Sequence, residues 1–156
     1  MFAPLKTLIS DLVGEAMQSN RFANDDCRVE TVALLINAIT IDSGMSHARR
    51  DELHATLKSY FGCDDTATIK LIEQAAKVVR DSVDLYHFTR RIYCFVNDER
   101  RNCIVKMMWT VLYADGIVSP LESNIVWRTA DLLGVSSRHR VELRHRIAAE
   151  KRAARD

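Results

Sequence analysis

The sequence predicts an all-α fold: a single compact domain of seven to eight helices. Among its 156 residues are only five glycines and two prolines. That is well below the roughly 12% that these two types reach together in average proteins, so few tight turns are available. Apolar residues recur at helical spacing along most of the chain, and no stretch alternates long enough to predict a strand. With 47% hydrophobic and 28% charged residues, the composition argues against disorder.

The first two helices are predicted from apolar periodicity. Residues 5–17 place apolar side chains at the spacing of one helix face, which predicts a short amphipathic helix that needs a partner. Residues 29–41 are almost all apolar. This run is too long for a typical strand, so it predicts a buried central helix.

Capping residues mark the next two helices. One helix is expected to follow Ser46 and to end near Gly62, because glycine readily takes the left-handed conformation at a helix C-terminus. Either Asp64 or Asp65 is expected to cap the following helix, which ends near Ser82.

Two further helices are predicted between residues 84 and 112, capped by Asp84 and Asn97. The first of these should turn four apolar residues inward: Leu85, Phe88, Ile92 and Phe95. Four aromatic residues at helical spacings are assigned to the core: Tyr93, Phe95, Trp109 and Trp127.

A capping box gives the clearest helix start in the chain. Ser119 and Glu122 have the spacing at which each side chain bonds the other's backbone amide, and Pro120 stands at the first helical position. This helix should close at Gly134, and Ser136 or Ser137 should cap a basic C-terminal helix. We therefore divide the chain into a helical domain, 1–136, and a C-terminal helix, 137–156, packed at its start and solvated at its end.

An offset of 73 residues aligns two turns of the chain. It places Asp42-Ser43-Gly44-Met45-Ser46 over Asp115-Gly116-Ile117-Val118-Ser119. In both segments an apolar helix ends at an aspartate and a serine begins the next helix. The alignment predicts two helix-turn-helix repeats, related by a pseudo-twofold axis and packed face to face.

Several motifs, in order and with matching spacing over roughly residues 5 to 145, resemble the TerB-like tellurite-resistance family. They are Asp84-Leu85-Tyr86-x-Phe88-Thr89-Arg90, Trp109, Ala114-Asp115-Gly116, Ser119-Pro120-x-Glu122 and Ala130-Asp131-Leu132-Leu133-Gly134-Val135. The resemblance implies a bacterial, cytosolic, all-helical domain linked to tellurite resistance or stress responses. It also implies a metal-binding or adaptor role, in some members at the inner membrane face, and no enzymatic activity.

The first repeat departs from this pattern. It reads Asp42-Ser43-Gly44 in place of an Asp-Gly turn, and Arg49 stands where the second repeat has Glu122. Both departures bring a metal site in the first repeat into question.

The second turn resembles the latter half of a calcium-binding EF-hand loop. Asp115, Ser119 and Glu122 carry oxygen ligands at matching positions, but Val111 and Tyr113 stand where two earlier ligands would be needed. If the repeats pack as a pair, Asp42 and Ser46 could complete a site. Two interpretations stay open: a weak divalent-cation site, with calcium the best fit, at Asp115, Ser119, Glu122 and Asp42, or helix caps alone.

The net charge of +1 conceals an uneven distribution. Residues 137–156 carry +4, so residues 1–136 carry −3. The basic end is interpreted as a solvated helix or as a contact for an acidic partner, anionic lipid or nucleic acid. Its apolar residues are mostly small, which argues against deep membrane insertion.

These observations predict a non-enzymatic cytoplasmic module. There is no nucleophile elbow or glycine-rich phosphate loop, and the scattered cysteines, Cys27, Cys63, Cys94 and Cys103, are expected to be reduced and mostly buried. The leading hypothesis is a TerB-like stress-response module with a cation site, and the alternative is a metal-free protein-protein adaptor. We expect a protein partner, leave membrane-face association and homo-oligomers open, and disfavour nucleic acid.

Overall fold

In a computed structural model, the described residues, 27–42, 44–81 and 85–155, form seven α-helices and one 3-10 helix. The α-helices are α1 (Arg28–Thr40), α2 (His47–Phe61), α3 (Asp65–Asp81), α4 (Leu85–Phe95), α5 (Asp98–Leu112), α6 (Pro120–Leu132) and α7 (Ser137–Arg155). The 3-10 helix, Tyr113–Asp115, follows α5. No strand occurs in these ranges, which confirms the all-α prediction. The predicted helix at 5–17 and the predicted cap Asp84 lie outside them.

The central helix is α1. It packs against α3, α4, α5 and α6, and its side chains Val32, Ala33 and Leu34 are fully buried. Because neighbours cover α1 on several sides, its sequence is apolar on nearly every face rather than along one stripe. The prediction of a buried central helix from residues 29–41 is confirmed.

Most of the predicted N-terminal and C-terminal caps are present in the described residues. The side chains of Ser46, Asp64, Asn97 and Ser136 each accept a hydrogen bond from the backbone amide three residues later. Gly62 ends α2 with φ 67°, in the left-handed region. Short polar side chains satisfy amide groups that have no partner inside the helix, so these boundaries can be read from local sequence.

Two predicted core aromatics are on the surface, and the cysteines are more exposed than expected. Tyr93 and Phe95 are each 52% exposed, whereas Trp109 is 1% exposed. Phe88 and Ile92 face inward as predicted, and Thr89 lies beside them on the buried side of α4. The side chain of Leu85, the fourth residue predicted to face inward, lies outside the described residues. Of the four free cysteines, only Cys27 is buried, so the expectation of mostly buried thiols is wrong.

The basic helix α7 packs against α5, α6 and the 3-10 helix. Leu143 and Ile147 are its apolar anchors, each 2% exposed. The buried Arg140 donates a hydrogen bond from Nη1 to the carbonyl oxygen of Trp127, 2.8 Å away. Arg152–Arg155 are exposed. None of the described helices has both the length and the apolar character required to cross a membrane.

Candidate functional site

The two turns aligned by the 73-residue offset meet in the folded chain. Ser46 begins α2, and its Oγ accepts a hydrogen bond from the Arg49 amide at 3.1 Å. The same hydroxyl donates to Oδ2 of Asp115 in the second turn, 3.2 Å away. A helix cap in the first turn is therefore bonded directly to the second turn.

Ser119 and Glu122 form the predicted capping box. Ser119 Oγ accepts a hydrogen bond from the Glu122 amide at 3.1 Å, and Glu122 Oε1 accepts one from the Ser119 amide at 3.0 Å. Pro120 occupies the first turn of the helix. These local bonds fix the start of α6 and hold the Glu122 carboxylate at the turn.

Glu122 also pairs with Arg49, the residue aligned with it by the offset. Arg49 Nη1 lies 2.7 Å from Oε2, and Nη2 lies 2.9 Å from Oε1, which makes a bidentate pair. The two side chains are 1% and 0% exposed. Since water is excluded from both, each charge depends on the other for its compensation.

Oxygen atoms from both turns satisfy the rest of the Arg49 guanidinium. Nη2 donates to the Ile117 carbonyl at 2.7 Å, Nη1 to the Gly44 carbonyl at 3.4 Å and Nε to the Leu112 carbonyl at 3.3 Å. Together with the two bonds to Glu122, these use the five N–H donors of an arginine. A positive charge surrounded by oxygen atoms thus lies between the two turns.

Burial disfavours the charged form of Arg49, but the carboxylates around it have the larger effect. The hydrogen bond to Glu122, together with the charges of Glu122 and Asp115, raises the pKa of Arg49 above its ordinary value despite desolvation. Asp115 Oδ2 lies 3.4 Å from Arg49 Nε. The surroundings of Arg49 therefore favour its charged form.

Three of the four predicted cation ligands lie together at the second turn, residues 115–119, and the helix start that follows it. Glu122 and Ser119 are joined by the capping box, and the Asp115 side chain is 29% exposed beside them. Asp42, the fourth, is exposed on the surface. In the described ranges no group of three or more histidine, cysteine, aspartate or glutamate side chains is arranged to hold a metal ion.

The ion pair between Arg49 and Glu122 was not predicted from the sequence, because Arg49 was interpreted only as a departure of the first repeat from the family pattern. The clue was present in the alignment, since opposite charges stand at equivalent positions, 49 and 122, of two turns predicted to pack together. Residues at equivalent positions of two turns that pack face to face can lie close together. Position 49 could therefore have been predicted as the partner of Glu122.

A second candidate surface lies on α4. Tyr86 is 58% exposed and Tyr93 is 52% exposed, and Arg90 stands between them at helical spacing, so the three share the outer side of α4. We call these three residues the α4 aromatic face. Tyr93 stacks on the Arg101 guanidinium, which lies 4.5 Å from its ring centroid. The buried residues Phe88 and Ile92 occupy the opposite side of α4. Helical spacing alone did not reveal the exposed face, because apolar and aromatic residues stand on both sides of this helix.

The profile of the family described as Tellurite resistance protein TerB matches residues 28–145. The match covers most of the chain and includes every described helix except the last part of α7. No curated protein and no solved structure matches the chain significantly. The all-helical fold and the family match define a helical module, and the chain belongs to the TerB family. It is thus a module of a family associated with tellurite resistance.

Proposed function

We propose that this chain is a non-enzymatic, cytoplasmic adaptor that serves tellurite resistance or a wider stress response by binding a protein partner through the α4 aromatic face. The observation that carries this proposal is the exposure of Tyr86 and Tyr93, each more than half accessible on one short helix. Tyrosine and arginine are enriched at protein interfaces and dominate their binding energy.

The two tyrosines are suited to contact with a partner. A tyrosine offers a large apolar ring and a polar hydroxyl while fixing only two side-chain torsions on binding. Arg101 holds the Tyr93 ring from beneath, and Arg101 Nε is itself fixed to the Leu133 carbonyl at 2.8 Å. A partner would meet a ring that is already oriented, which reduces the entropy lost on association.

Arg49 favours the adaptor interpretation over a cation site. Its guanidinium lies within hydrogen-bonding distance of both Glu122 oxygens, so a divalent ion at that carboxylate would face a positive charge a few ångströms away. The same contact occupies the Glu122 carboxylate, which weighs against a role for it as a general base. The cation site at Asp115, Ser119, Glu122 and Asp42 stays a prediction, and calcium titration tests it.

The adaptor proposal is tested with the double variant Tyr86→Ala/Tyr93→Ala. Proteins captured from the native cell extract by the wild-type chain are identified, and the dissociation constant of the purified partner is then measured for each variant. A matched control is Ile69→Ala/Leu121→Ala, which removes apolar side chains that are 45% and 46% exposed elsewhere on the surface.

We expect the tyrosine variant to bind the partner at least about tenfold more weakly, since loss of one interface anchor commonly costs more than about 1 kcal/mol. The control variant should bind like the wild-type chain, and both should keep the wild-type melting temperature. Equal affinity of the tyrosine variant and the wild type would contradict the proposal, as would the lack of any partner enriched over unrelated bait.

A further inference from the structure

The end of the basic helix α7 folds onto the second turn. Lys151 forms an ion pair with Glu52 of α2. One helical turn later, Arg155 Nη2 lies 3.4 Å from the carbonyl oxygen of Tyr113. The Arg155 guanidinium covers Gly116 so closely that a Cβ at that position would overlap it. Two cations of α7 thus contact acceptors on α2 and the second turn.

Different forces hold the two parts of α7. The last buried residue is Ile147, and the described residues after it are half-buried or exposed. Before that point Arg144 stacks on Trp109, 4.9 Å from its ring centroid, and donates a hydrogen bond from Nε to the Tyr113 hydroxyl at 3.0 Å. Beyond Ile147 the described polar contacts are the Lys151–Glu52 ion pair, whose side chains are 23% and 25% exposed, and one hydrogen bond from the exposed Arg155 to a carbonyl oxygen. No apolar side chain of the described residues after Ile147 is buried, so these two contacts hold the end of the helix. The end of α7 can therefore detach while its first part stays packed.

The face beneath Lys151 and Arg155 has the features of a site for a basic segment. The Glu52 carboxylate and the Tyr113 carbonyl are acceptors spaced to meet cations at positions i and i+4 of a helix, as Lys151 and Arg155 show. Glu52 also borders a cavity of about 360 Å³ between α2 and α5, whose wall includes Tyr60 and Met107. A partner helix could thus place cations on the acceptors and an apolar side chain in the cavity.

We propose that this face, formed by Glu52, Tyr60, Met107 and Tyr113, binds a lysine- and arginine-bearing helical segment of a partner protein, and that Lys151 and Arg155 occupy it until such a segment displaces them. The tethered end of α7 is present at a high effective concentration, in the millimolar range for short connections. A free basic segment must outcompete it. This face is separate from the α4 aromatic face, so either proposal can fail alone.

The test uses the full chain and a fluorescein-labelled peptide that copies residues 145–156. Binding is followed by fluorescence anisotropy at low and at high salt. The variant Lys151→Ala/Arg155→Ala removes the two contacts and keeps the rest of α7. The matched control, Arg146→Ala/Arg152→Ala, removes the same charge from exposed positions of the same helix.

The Lys151→Ala/Arg155→Ala chain should bind the peptide at least tenfold more tightly than the wild-type or control chain. Adding Glu52→Gln should abolish the gain, and salt should weaken binding because the peptide reaches Glu52 through an ion pair that stays partly open to solvent. Equal binding by the two double variants, no saturable binding by any variant, or a gain that survives Glu52→Gln would each overturn the proposal. The tyrosine variant of α4 should bind the peptide as the wild type does, which separates this test from that of the adaptor proposal.

Discussion

Arg49 and Glu122 form a bidentate ion pair between two turns that an offset of 73 residues aligns, with nitrogen-oxygen distances of 2.7 and 2.9 Å. The glutamate belongs at once to a local capping box and to this long-range pair. Its carboxylate thus links the start of α6 to the start of α2. Because the pair is buried, loss of either charge would leave the other poorly compensated at the contact between the two turns.

Replacement of Arg49 by alanine should destabilise the fold strongly. Removing one member of a buried ion pair leaves the other charge without compensation and typically costs about 3–5 kcal/mol. Urea unfolding of Arg49→Ala should show a loss of this size. Arg138→Ala is a suitable control, because the Arg138 side chain is 90% exposed and its loss should leave the unfolding midpoint unchanged. An Arg49→Ala chain as stable as the control would show that the pair does not hold the turns.

Replacement of Glu122 should lower the free energy of unfolding more than the loss of a helix cap does. Ser119→Ala removes only a capping bond and should cost about 1 kcal/mol, whereas Glu122→Ala also removes the bidentate partner of the buried Arg49 and should cost about 3–5 kcal/mol. The double variant Arg49→Ala/Glu122→Ala should lose less than the sum of the two single losses, with a coupling of about 0.5–3 kcal/mol. Additive losses in this double-mutant cycle, measured by urea unfolding, would mean that the pair is not coupled.

Calcium should leave the melting temperature of the wild-type chain unchanged up to millimolar concentration, because Arg49 already supplies a positive charge among the turn oxygens. Arg49→Glu should behave differently. A carboxylate at position 49 would face Glu122 and Asp115, and calcium should then stabilise the chain by an amount that grows with its concentration.

Arg49→Gln, which removes the charge without adding a carboxylate, is the control for this calcium experiment and should not respond to the ion. Differential scanning fluorimetry and calorimetric titration with calcium provide the measurements. Saturable calcium binding by the wild-type chain, lost in Asp115→Ala, would instead support the predicted cation site.

Alanine substitutions at Gly116, in the second turn, and at Gly44, in the first turn, test the contact between Arg155 and the second turn. Both have left-handed backbones, with φ of 85° and 86°. An alanine at either should cost about 1–2 kcal/mol from backbone strain. Gly116→Ala should cost slightly more, because its Cβ would also displace the flexible end of the Arg155 side chain, whereas nothing lies within 4 Å of a Cβ at Gly44. In an Arg155→Ala background the two substitutions should cost the same by thermal unfolding. A difference that persists there would show that Arg155 is not the cause.

Much of the fold follows from local sequence. The caps at Ser46, Asn97 and Ser119 were predictable because each is a bond between a side chain and an amide three residues away. The burial of α4 was predicted less well. A count of apolar residues at helical spacing does not by itself say which arc of a helix meets the core, and Tyr93 and Phe95 lie outside that arc.

The sequence by itself determined the seven described α-helices, most of their ends and the family, since these depend on periodicity, capping bonds and motif spacing within short stretches of chain. Tertiary structure decided which group the carboxylates of Asp115 and Glu122 face, namely the Arg49 guanidinium. Arg49 is distant from Glu122 in sequence, and Lys151 is 99 residues from Glu52. Opposite charges so far apart attract at short range only after the core has packed α2, α5, α6 and α7 together, because water screens them in the unfolded chain.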